Sequence, residues 1–113
     1  MSLKSERTRE DGTRGCSIAD ALELVGDKWS LLVVREIGFG VRRFEGIRAQ
    51  TGAPRQVLTA RLRKLEAAGV IGRQAYSDRP PRHEYVLTSA GEQLLPVLGG
   101  LRVWGETFAP ERP

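Results

Sequence analysis

The side chains best suited to chemistry in this sequence are arginines, and they are concentrated in the middle of the chain. Residues 42–82 contain ten Lys and Arg against three Asp and Glu, whereas residues 1–41 and 83–113 have net charges of −1 and −2. The planar guanidinium binds phosphates and guanine edges in bidentate fashion. A basic centre with a net charge of +7 therefore indicates an anionic partner such as a nucleic acid, with a solvated basic face that binds nothing as the alternative.

Cys16 and His83 are the other candidates for chemistry, and each is the single residue of its type. One cysteine excludes an intramolecular disulfide, and with one histidine it cannot complete a Cys/His metal cage. Nucleophilic catalysis needs a base that orients the nucleophile, and His83 falls within a predicted strand. The Gly38 and Gly40 pair lacks the third glycine of a dinucleotide-binding loop. We therefore expect no enzymatic activity, no metal and no cofactor.

The length of the chain, 113 residues, predicts one compact domain. Residues 1–15 are polar and lack periodicity, which predicts a flexible arm ahead of a folded domain over residues 16–109. No segment approaches the roughly 18 apolar residues of a membrane span, and the N-terminus lacks the apolar middle of a signal peptide. A cytoplasmic location is expected.

Two helices are predicted ahead of the basic centre. The first covers residues 17–25, where Ser17 precedes Asp20 by the three residues of a capping box. The second covers about residues 28–37, with Asp27 as its N-cap. Both helices carry apolar residues at steps of three and four, which predicts that each buries one face.

The basic centre reads as a short helix, a turn containing glycine and a longer helix. The short helix covers about residues 44–50, and Pro54 is predicted as the first residue of the longer one. The longer helix ends at Gly69, with Val70 placed to fold back on Leu65 as in a Schellman motif. Two β-rich runs, residues 70–76 and 83–87, follow, and their prolines predict that residues 77–82 project as a basic loop.

A last helix is predicted after the hairpin, capped by Thr88 or Ser89, with a kink or break caused by Pro96 or by Gly99 and Gly100. The predicted fold is therefore mainly α with a small β-hairpin (α+β), a winged helix-turn-helix with flanking helices at both ends.

This fold assigns a role to each group of polar side chains. Those expected to reach base edges from the longer helix are Arg55, Gln56, Thr59 and Arg63. Those expected to hold phosphates are Arg42, Arg43, Arg48 and Arg61. Arg79 and Arg82, at the tip of the predicted wing, are expected to enter the adjacent minor groove.

Four motifs in order resemble the HxlR-type helix-turn-helix regulators. They are Gly26-Asp27-Lys28-Trp29-Ser30-Leu31-Leu32, Arg42-Arg43-Phe44, Leu58 to Glu66 with Gly69-Val70-Ile71, and Pro80-Pro81-Arg82-His83-Glu84-Tyr85-Val86-Leu87-Thr88. The resemblance covers about residues 16–105. It implies a small bacterial or archaeal DNA-binding regulator that acts as a homodimer through its N- and C-terminal helices.

Cys16 has a further role implied by the resemblance. The family commonly has Cys-Pro ahead of its first helix, and in several branches this cysteine senses quinones, aldehydes or oxidants. Here Ser17 follows Cys16, which departs from that pattern. Cys16 is therefore a candidate redox or electrophile sensor, and an inert small hydrophobe is the alternative.

Apolar residues near both ends of the folded region exceed what a small central module can cover, so we expect a dimer interface. The candidates are Leu22, Val25, Leu101, Trp104 and Phe108. Packing within one chain is the alternative. A two-fold dimer would bind a pseudo-palindromic operator in double-stranded DNA, with half-sites about one helical turn apart. The alternative function is a winged-helix module that binds an acidic protein without reading DNA.

Overall fold

The structure is a computed structural model that describes residues 8, 10 and 15–111, so most of the arm predicted over residues 1–15 lies outside it. The described residues form six helices and one antiparallel hairpin. The helices are α1 (Ser17–Val25), α2 (Lys28–Gly38), α3 (Phe44–Thr51), α4 (Arg55–Ala67), α5 (Ser89–Glu92) and α6 (Leu95–Phe108). The hairpin consists of β1 (Ile71–Asp78) and β2 (Pro81–Leu87). This order confirms the predicted winged helix-turn-helix arrangement.

The core forms around α2, which packs against α3, α4, α6 and the hairpin strand β2. Its apolar members are Val25, Val33, Val34, Ile37, Ile47, Ala53, Leu58, Leu62, Leu65, Val70 and Ile71. The three leucines of α4 follow one another at steps of four and three, so one stripe of that helix is buried and the opposite side faces outward. Within the described residues, no helix is long and apolar enough to cross a bilayer.

The carboxylate of Asp27 joins α2 to α4. Its Oδ2 accepts a hydrogen bond from the backbone N–H of Ser30 at 3.0 Å, and its Oδ1 accepts from the Ser30 hydroxyl at 2.7 Å. These contacts confirm Asp27 as the N-cap of α2. The same carboxylate accepts a hydrogen bond from Arg61 Nε on α4 at 2.8 Å, so one side chain both caps one helix and fixes another beside it.

Helix α1 has the predicted bounds but a different cap, and α4 starts one residue later than predicted. Cys16 is the N-cap of α1, with extended backbone angles, and its Sγ accepts a hydrogen bond from Ala19 N at 3.4 Å. Ser17 is therefore already inside the helix. Pro54 is the N-cap of α4 and not its first residue, because its ψ of 145° is extended even though its φ of −58° suits a helix.

The end of α4 is a Schellman motif, as predicted. Gly69 has a φ of +75°, a conformation that other residues rarely adopt. The backbone N–H of Val70 donates to Leu65 O at 2.9 Å, and that of Gly69 donates to Glu66 O at 3.0 Å. The chain therefore reverses sharply and delivers β1 back onto the core.

The hairpin strands are longer than predicted. Pairing runs from Ile71 opposite Leu87 to Asp78 opposite Pro81, with an irregularity between Ala75 and Ser77. Residues 77–82 therefore do not form a separate loop, and the turn consists of Arg79 and Pro80, joined by a cis peptide bond. Prolines fit here because Pro81 is the first residue of its strand in a sheet whose two strands are both edges.

The helical segment after the hairpin is interrupted at residues 93–94. This is ahead of Pro96, Gly99 and Gly100, the residues expected to interrupt it. Thr88 caps α5, and its hydroxyl accepts from Gly91 N at 3.2 Å and lies 2.6 Å from Gly69 O. Helix α6 then starts at Leu95 with Pro96 in its first turn, where proline costs no helical hydrogen bond. It continues through Gly99 and Gly100 without interruption. Pro96 therefore lies next to the interruption, and the two glycines cause none.

The Asp27 carboxylate makes folding stability depend on pH. Burial raises the pKa of this carboxyl, but hydrogen bonds from Ser30 and from Arg61 outweigh burial and leave the pKa below its ordinary value of 3.8. The stabilisation is therefore complete above the pKa of the unfolded chain and disappears as the pH falls through the folded pKa. Asp27→Asn keeps a capping oxygen but removes the charge that pairs with Arg61, so we expect it to lower the free energy of unfolding by up to about 1 kcal/mol at pH 7, and by less at pH 3.

Thermal unfolding of wild type and variant, followed by circular dichroism at both pH values, measures this effect. Asp78→Asn, at the hairpin tip, is the matched control and should leave stability unchanged. An Asp27→Asn deficit of equal size at pH 7 and pH 3 would contradict the assignment.

Candidate nucleic-acid interface

The outward side of α3 and α4 forms one continuous surface. Gly52 ends α3 with a φ of +75°, which reverses the chain within a few residues. Ala53 and Leu58 are buried against Ile47 in the core, so the turn and both helices are held together from beneath. The first residues of α4 are consequently presented to solvent beside the first turn of α3.

The four residues expected to reach base edges lie on α4 but are not equally available. Arg55, Gln56 and Arg63 are exposed, whereas Thr59 is half-buried. The Thr59 hydroxyl donates to Arg55 O at 2.9 Å, which leaves it only its acceptor lone pairs. Gln56, Thr59 and Arg63 are spaced by three and four residues and so share one helix face.

Arg55 is held by its surroundings. Its Nη2 lies 2.6 Å from Glu45 Oε1, and its guanidinium carbon lies 5.1 Å from the ring centroid of Phe44. Both partners belong to the first turn of α3. The contact therefore connects the amino-terminal ends of the two helices across the surface.

Arg43 connects the start of α3 to the hairpin. Its guanidinium lies 4.1 Å from the ring centroid of Tyr76, and its Nε lies 3.9 Å from Glu84 Oε2. The adjacent Arg42 accepts a backbone hydrogen bond from Tyr85 N at 2.7 Å. The sequence analysis did not assign Tyr76 to this surface. Its place between Arg73 and Arg79 in the predicted hairpin was the available signal, because aromatic rings stack on guanidinium groups.

Arg61 and Arg48 are not positioned as simple phosphate contacts. Arg61 is two-thirds buried and bonded to Asp27, so it serves the packing of α4 on α2. Arg48 is partly buried, and its Nε has no hydrogen-bond partner among the described residues. Arg61 was predicted as a phosphate contact; its bond to Asp27 turns it toward the fold, and we do not include it in the interface.

The hairpin that follows α4 carries further arginines. Arg79 and Arg82 are exposed at its tip, and Arg73, which sequence reasoning did not single out, is ion-paired with Glu66 at 3.0 Å. Five of the predicted contact arginines have no carboxylate within 4.0 Å among the residues that the structure describes. They are Arg42, Arg48, Arg63, Arg79 and Arg82.

The residues predicted for a dimer interface divide into two groups. Val25 is only 7% exposed and belongs to the core of its own chain, so this assignment is corrected. Leu22 on α1 and Leu101, Trp104 and Phe108 on α6 are all more than half exposed. The Trp104 and Phe108 rings pack against each other with centroids 5.3 Å apart. The sequence predicts more apolar surface near both ends than the central module can cover, and within the described residues Leu22, Leu101, Trp104 and Phe108 are left exposed.

A groove of about 620 Å³ lies between α2 and α6. Its wall is formed chiefly by apolar residues, among them Leu31, Leu32 and Phe39 of the α2 side and Leu98 and Leu101 of α6. Three cations also line it, namely Lys28, Arg35 and Arg102. Arg35 is in turn paired with Glu36, a carboxylate that is buried beside it at 2.6 Å.

The order of motifs and the arrangement of helices agree with one known family. The sequence model of the HxlR-like helix-turn-helix family matches residues 24–113. The chain belongs to this family. HxlR-like relatives include an uncharacterized HTH-type transcriptional regulator of Mycobacterium tuberculosis, which is 47% identical over 96 residues. Another, from Synechocystis, is 44% identical over 94 residues, which are 82% of this chain and 70% of that protein.

Solved structures of other regulators are similar to this one. The redox regulator HypR in its oxidized form has a TM-score of 0.77 and 32% identity, covering 85% of this chain and 100% of that one. The match with the mycobacterial relative covers 85% of this chain but 61% of that protein. The chain therefore spans less than two thirds of the length of its mycobacterial HxlR-like relatives.

Proposed function

We propose that this chain is a sequence-specific, double-stranded DNA-binding transcriptional regulator that acts as a homodimer. Its family, whose relatives are named HTH-type transcriptional regulators, supports regulation as the general role, and such proteins are generally not enzymes. One observation carries the specific proposal. The exposed start of α4 lies in the same surface as Arg42 and Arg43, ahead of α3, and this surface is tied to the arginine-tipped hairpin. A DNA-binding role implies the cytoplasm as the place of action.

The proposed role of each arginine follows from the exposure of its side chain and from its bonding partners. Helix α4 enters the major groove, where Arg55 or Arg63 binds guanine and Gln56 binds adenine. Arg42 and Arg43 bind phosphates and fix the register of the protein on the duplex. Arg79 and Arg82 reach the neighbouring minor groove from the hairpin tip.

Selection of bound sequences from a random duplex pool tests the function directly. We expect an enriched motif and an affinity for unrelated duplexes that decreases steeply between low and moderate salt, since each neutralised phosphate contributes to the slope. The absence of a motif together with an affinity that does not change with salt would overturn the proposal. It would favour a winged-helix module that binds a protein.

Substitutions should separate base contacts from phosphate contacts. We expect Arg55→Ala to reduce affinity for the selected motif by about 1–3 kcal/mol and to relax preference at one base position. Arg43→Ala should weaken binding to selected and unrelated duplexes by the same factor, because phosphates carry no sequence information.

Fluorescence anisotropy with both classes of duplex, at fixed salt, provides the affinities. Arg73→Ala is the control for the loss of one positive charge, because the Arg73 guanidinium is paired with Glu66 and is assigned no DNA contact. Equal proportional losses of specific and non-specific affinity in both variants would contradict the division of roles.

The proposed dimer uses α1 and α6. Trp104 is 61% exposed and Phe108 is 67% exposed, and together with Leu101 and Leu22 they form apolar surface that nothing in the described chain covers. Apolar surface of this kind is typical of an interface between protein chains. A two-fold arrangement buries the same residues on both copies and directs two α4 helices to one side.

The groove between α2 and α6 offers a seat for α1 of the second copy. Helix α1 carries two carboxylates, Asp20 and Glu23, and no cation, and its exposed apolar residues include Ile18 and Leu22. The groove has an apolar wall with Lys28 at its edge, whereas Arg35 and Arg102, which also line it, are already ion-paired with Glu36 and Glu106. Apolar complementarity between the two surfaces, with Lys28 as the available cation, supports a reciprocal exchange of α1 helices.

Truncation of the α6 aromatic pair should weaken the dimer. We expect Trp104→Ala to raise the dimer dissociation constant by about tenfold or more, because a central tryptophan is a typical hot spot and each dimer loses two. Sedimentation velocity over a range of concentrations measures the shift toward monomer. Tyr76→Ala, which removes an exposed aromatic residue of the hairpin, is the control. An unchanged oligomeric state in Trp104→Ala would exclude this interface.

We also propose that Cys16 makes DNA binding responsive to electrophiles. Its Sγ is partly exposed and serves as the N-cap of α1, the helix assigned to the dimer. The thiol adds across the activated C=C bond of a quinone or enal: the C=C π bond breaks, an S–C bond forms, and the thiol proton ends on the electrophile. The new S–C bond places a bulky group at the cap. A similar structure is that of HypR, a redox regulator, which supports the same role here.

Alkylation should weaken DNA binding of the wild type through the start of α1. We expect the affinity for the selected motif to decrease by about tenfold after treatment with a quinone, a loss typical of disturbing a helix cap and its packing. Cys16→Ser retains a capping acceptor without the nucleophile and should be insensitive. Equal affinities of alkylated and untreated wild type, with modification verified by mass spectrometry, would identify Cys16 as an inert cap.

A further inference from the structure

Glu45 is a carboxylate within a predominantly basic surface. It lies in the first turn of α3, and it is one of only three acidic residues between residues 42 and 82. Its Oε1 is 2.6 Å from Arg55 Nη2, and both side chains are well exposed. An anion at this position opposes the phosphate binding that the surrounding arginines favour.

Stability does not account for this ion pair. Exposed pairs contribute about 0–1 kcal/mol to folding, because water screens the charges and the long side chains lose entropy. The partly buried bond between Asp27 and Arg61, by contrast, joins two helices. The 2.6 Å contact of Glu45 instead sets the position of one predicted base-contacting guanidinium, with the ring of Phe44 beneath it at 5.1 Å.

The pair responds differently to phosphates and to bases. If Arg55 leaves Glu45 to bind a phosphate, the carboxylate is left unpaired in the strong negative potential of the duplex. If Arg55 binds guanine O6 and N7, Glu45 can keep its position and accept a hydrogen bond from the exocyclic amino group of a neighbouring cytosine. Glu45 therefore weakens binding to a duplex that offers Arg55 only phosphates. It does not weaken binding to a duplex with the matching bases.

We propose that Glu45 is a specificity-determining residue that reserves Arg55 for base edges and suppresses binding to unrelated DNA. This inference rests on the proposed DNA-binding function and adds a repulsive element to it. The ion pair of Arg43 with Glu84 is the contrast within the same surface. Its separation of 3.9 Å is longer, and Arg43 stacks on Tyr76, so Arg43 is held less closely by its carboxylate.

Glu45→Gln isolates the charge because it keeps the size and shape of the side chain. We expect this variant to bind unrelated duplexes about fivefold more tightly, since one unit of repulsion in water is worth about 1 kcal/mol. The salt dependence should become steeper by about one phosphate contact for each half-site as Arg55 becomes available to the backbone. Affinity for the selected motif should stay equal or decrease, so the ratio of specific to non-specific affinity falls.

Two further variants serve as controls. Glu106→Gln removes an equally exposed carboxylate that is ion-paired with Arg102 at 2.7 Å on α6, and it should leave the affinity ratio unchanged. Glu45→Asp retains the charge and should keep affinity for unrelated duplexes low. Circular dichroism verifies that each variant folds as the wild type does.

The outcomes distinguish this inference from the function on which it rests. If the wild type selects a motif but Glu45→Gln binds unrelated duplexes no more tightly than wild type, the role of Glu45 is overturned and DNA binding stands. If Glu106→Gln lowers the affinity ratio as much as Glu45→Gln does, the effect is one of net charge, and the proposal is also overturned. A wild type that selects no motif overturns both.

Discussion

The carboxylate of Asp27 is the interaction on which the arrangement of the helices depends. It accepts hydrogen bonds from the backbone and hydroxyl of Ser30 and from the guanidinium of Arg61. Apolar packing of Leu58, Leu62 and Leu65 holds α4 against the core but permits small rotations about the helix axis. A directed hydrogen bond to Arg61 restricts that rotation. Because the outward face of α4 lies on the opposite side of the same helix, the orientation of Arg55 and Arg63 follows from a contact that faces inward.

The arginines of the basic centre therefore divide by partner and not by position in the sequence. Arg61 and Arg73 are bonded to carboxylates of the fold, Asp27 and Glu66, and help to pack one element on another. Others have no carboxylate nearby in the described part of the chain. The pairs of Arg55 with Glu45 and of Arg43 with Glu84 lie between these extremes, at the surface. A count of charges cannot reveal this division, because it depends on which residue of another element lies opposite each guanidinium.

Much of the fold could be predicted because the deciding signals are local. Asp27 and Gly69 act within one helical turn, so a capping residue and a left-handed glycine are legible in the sequence. The capping role of Cys16 escaped prediction because sulfur is an uncommon cap beside a serine that fits the consensus. Val25 was assigned to an interface because periodicity identifies apolar faces without saying what covers them. The burial of Glu36 could not be predicted either. A carboxylate is buried only where a partner lies beside it, and here Arg35 lies at 2.6 Å.

The hairpin is held at its base by the core and partway along by Arg43, so only its tip projects beyond these contacts. Ile71 is buried, and Thr88 bonds the backbone beside it, while most residues from Arg73 through the turn to His83 are exposed. Mechanically this is a cantilever, in which a given bending force displaces the free end much more than the base. In the DNA complex that we propose, Arg79 and Arg82 would therefore adjust to grooves of different width, whereas α4, supported along its whole length, would not. Under that proposal the protein combines a stiff probe of DNA chemistry with a compliant probe of DNA shape.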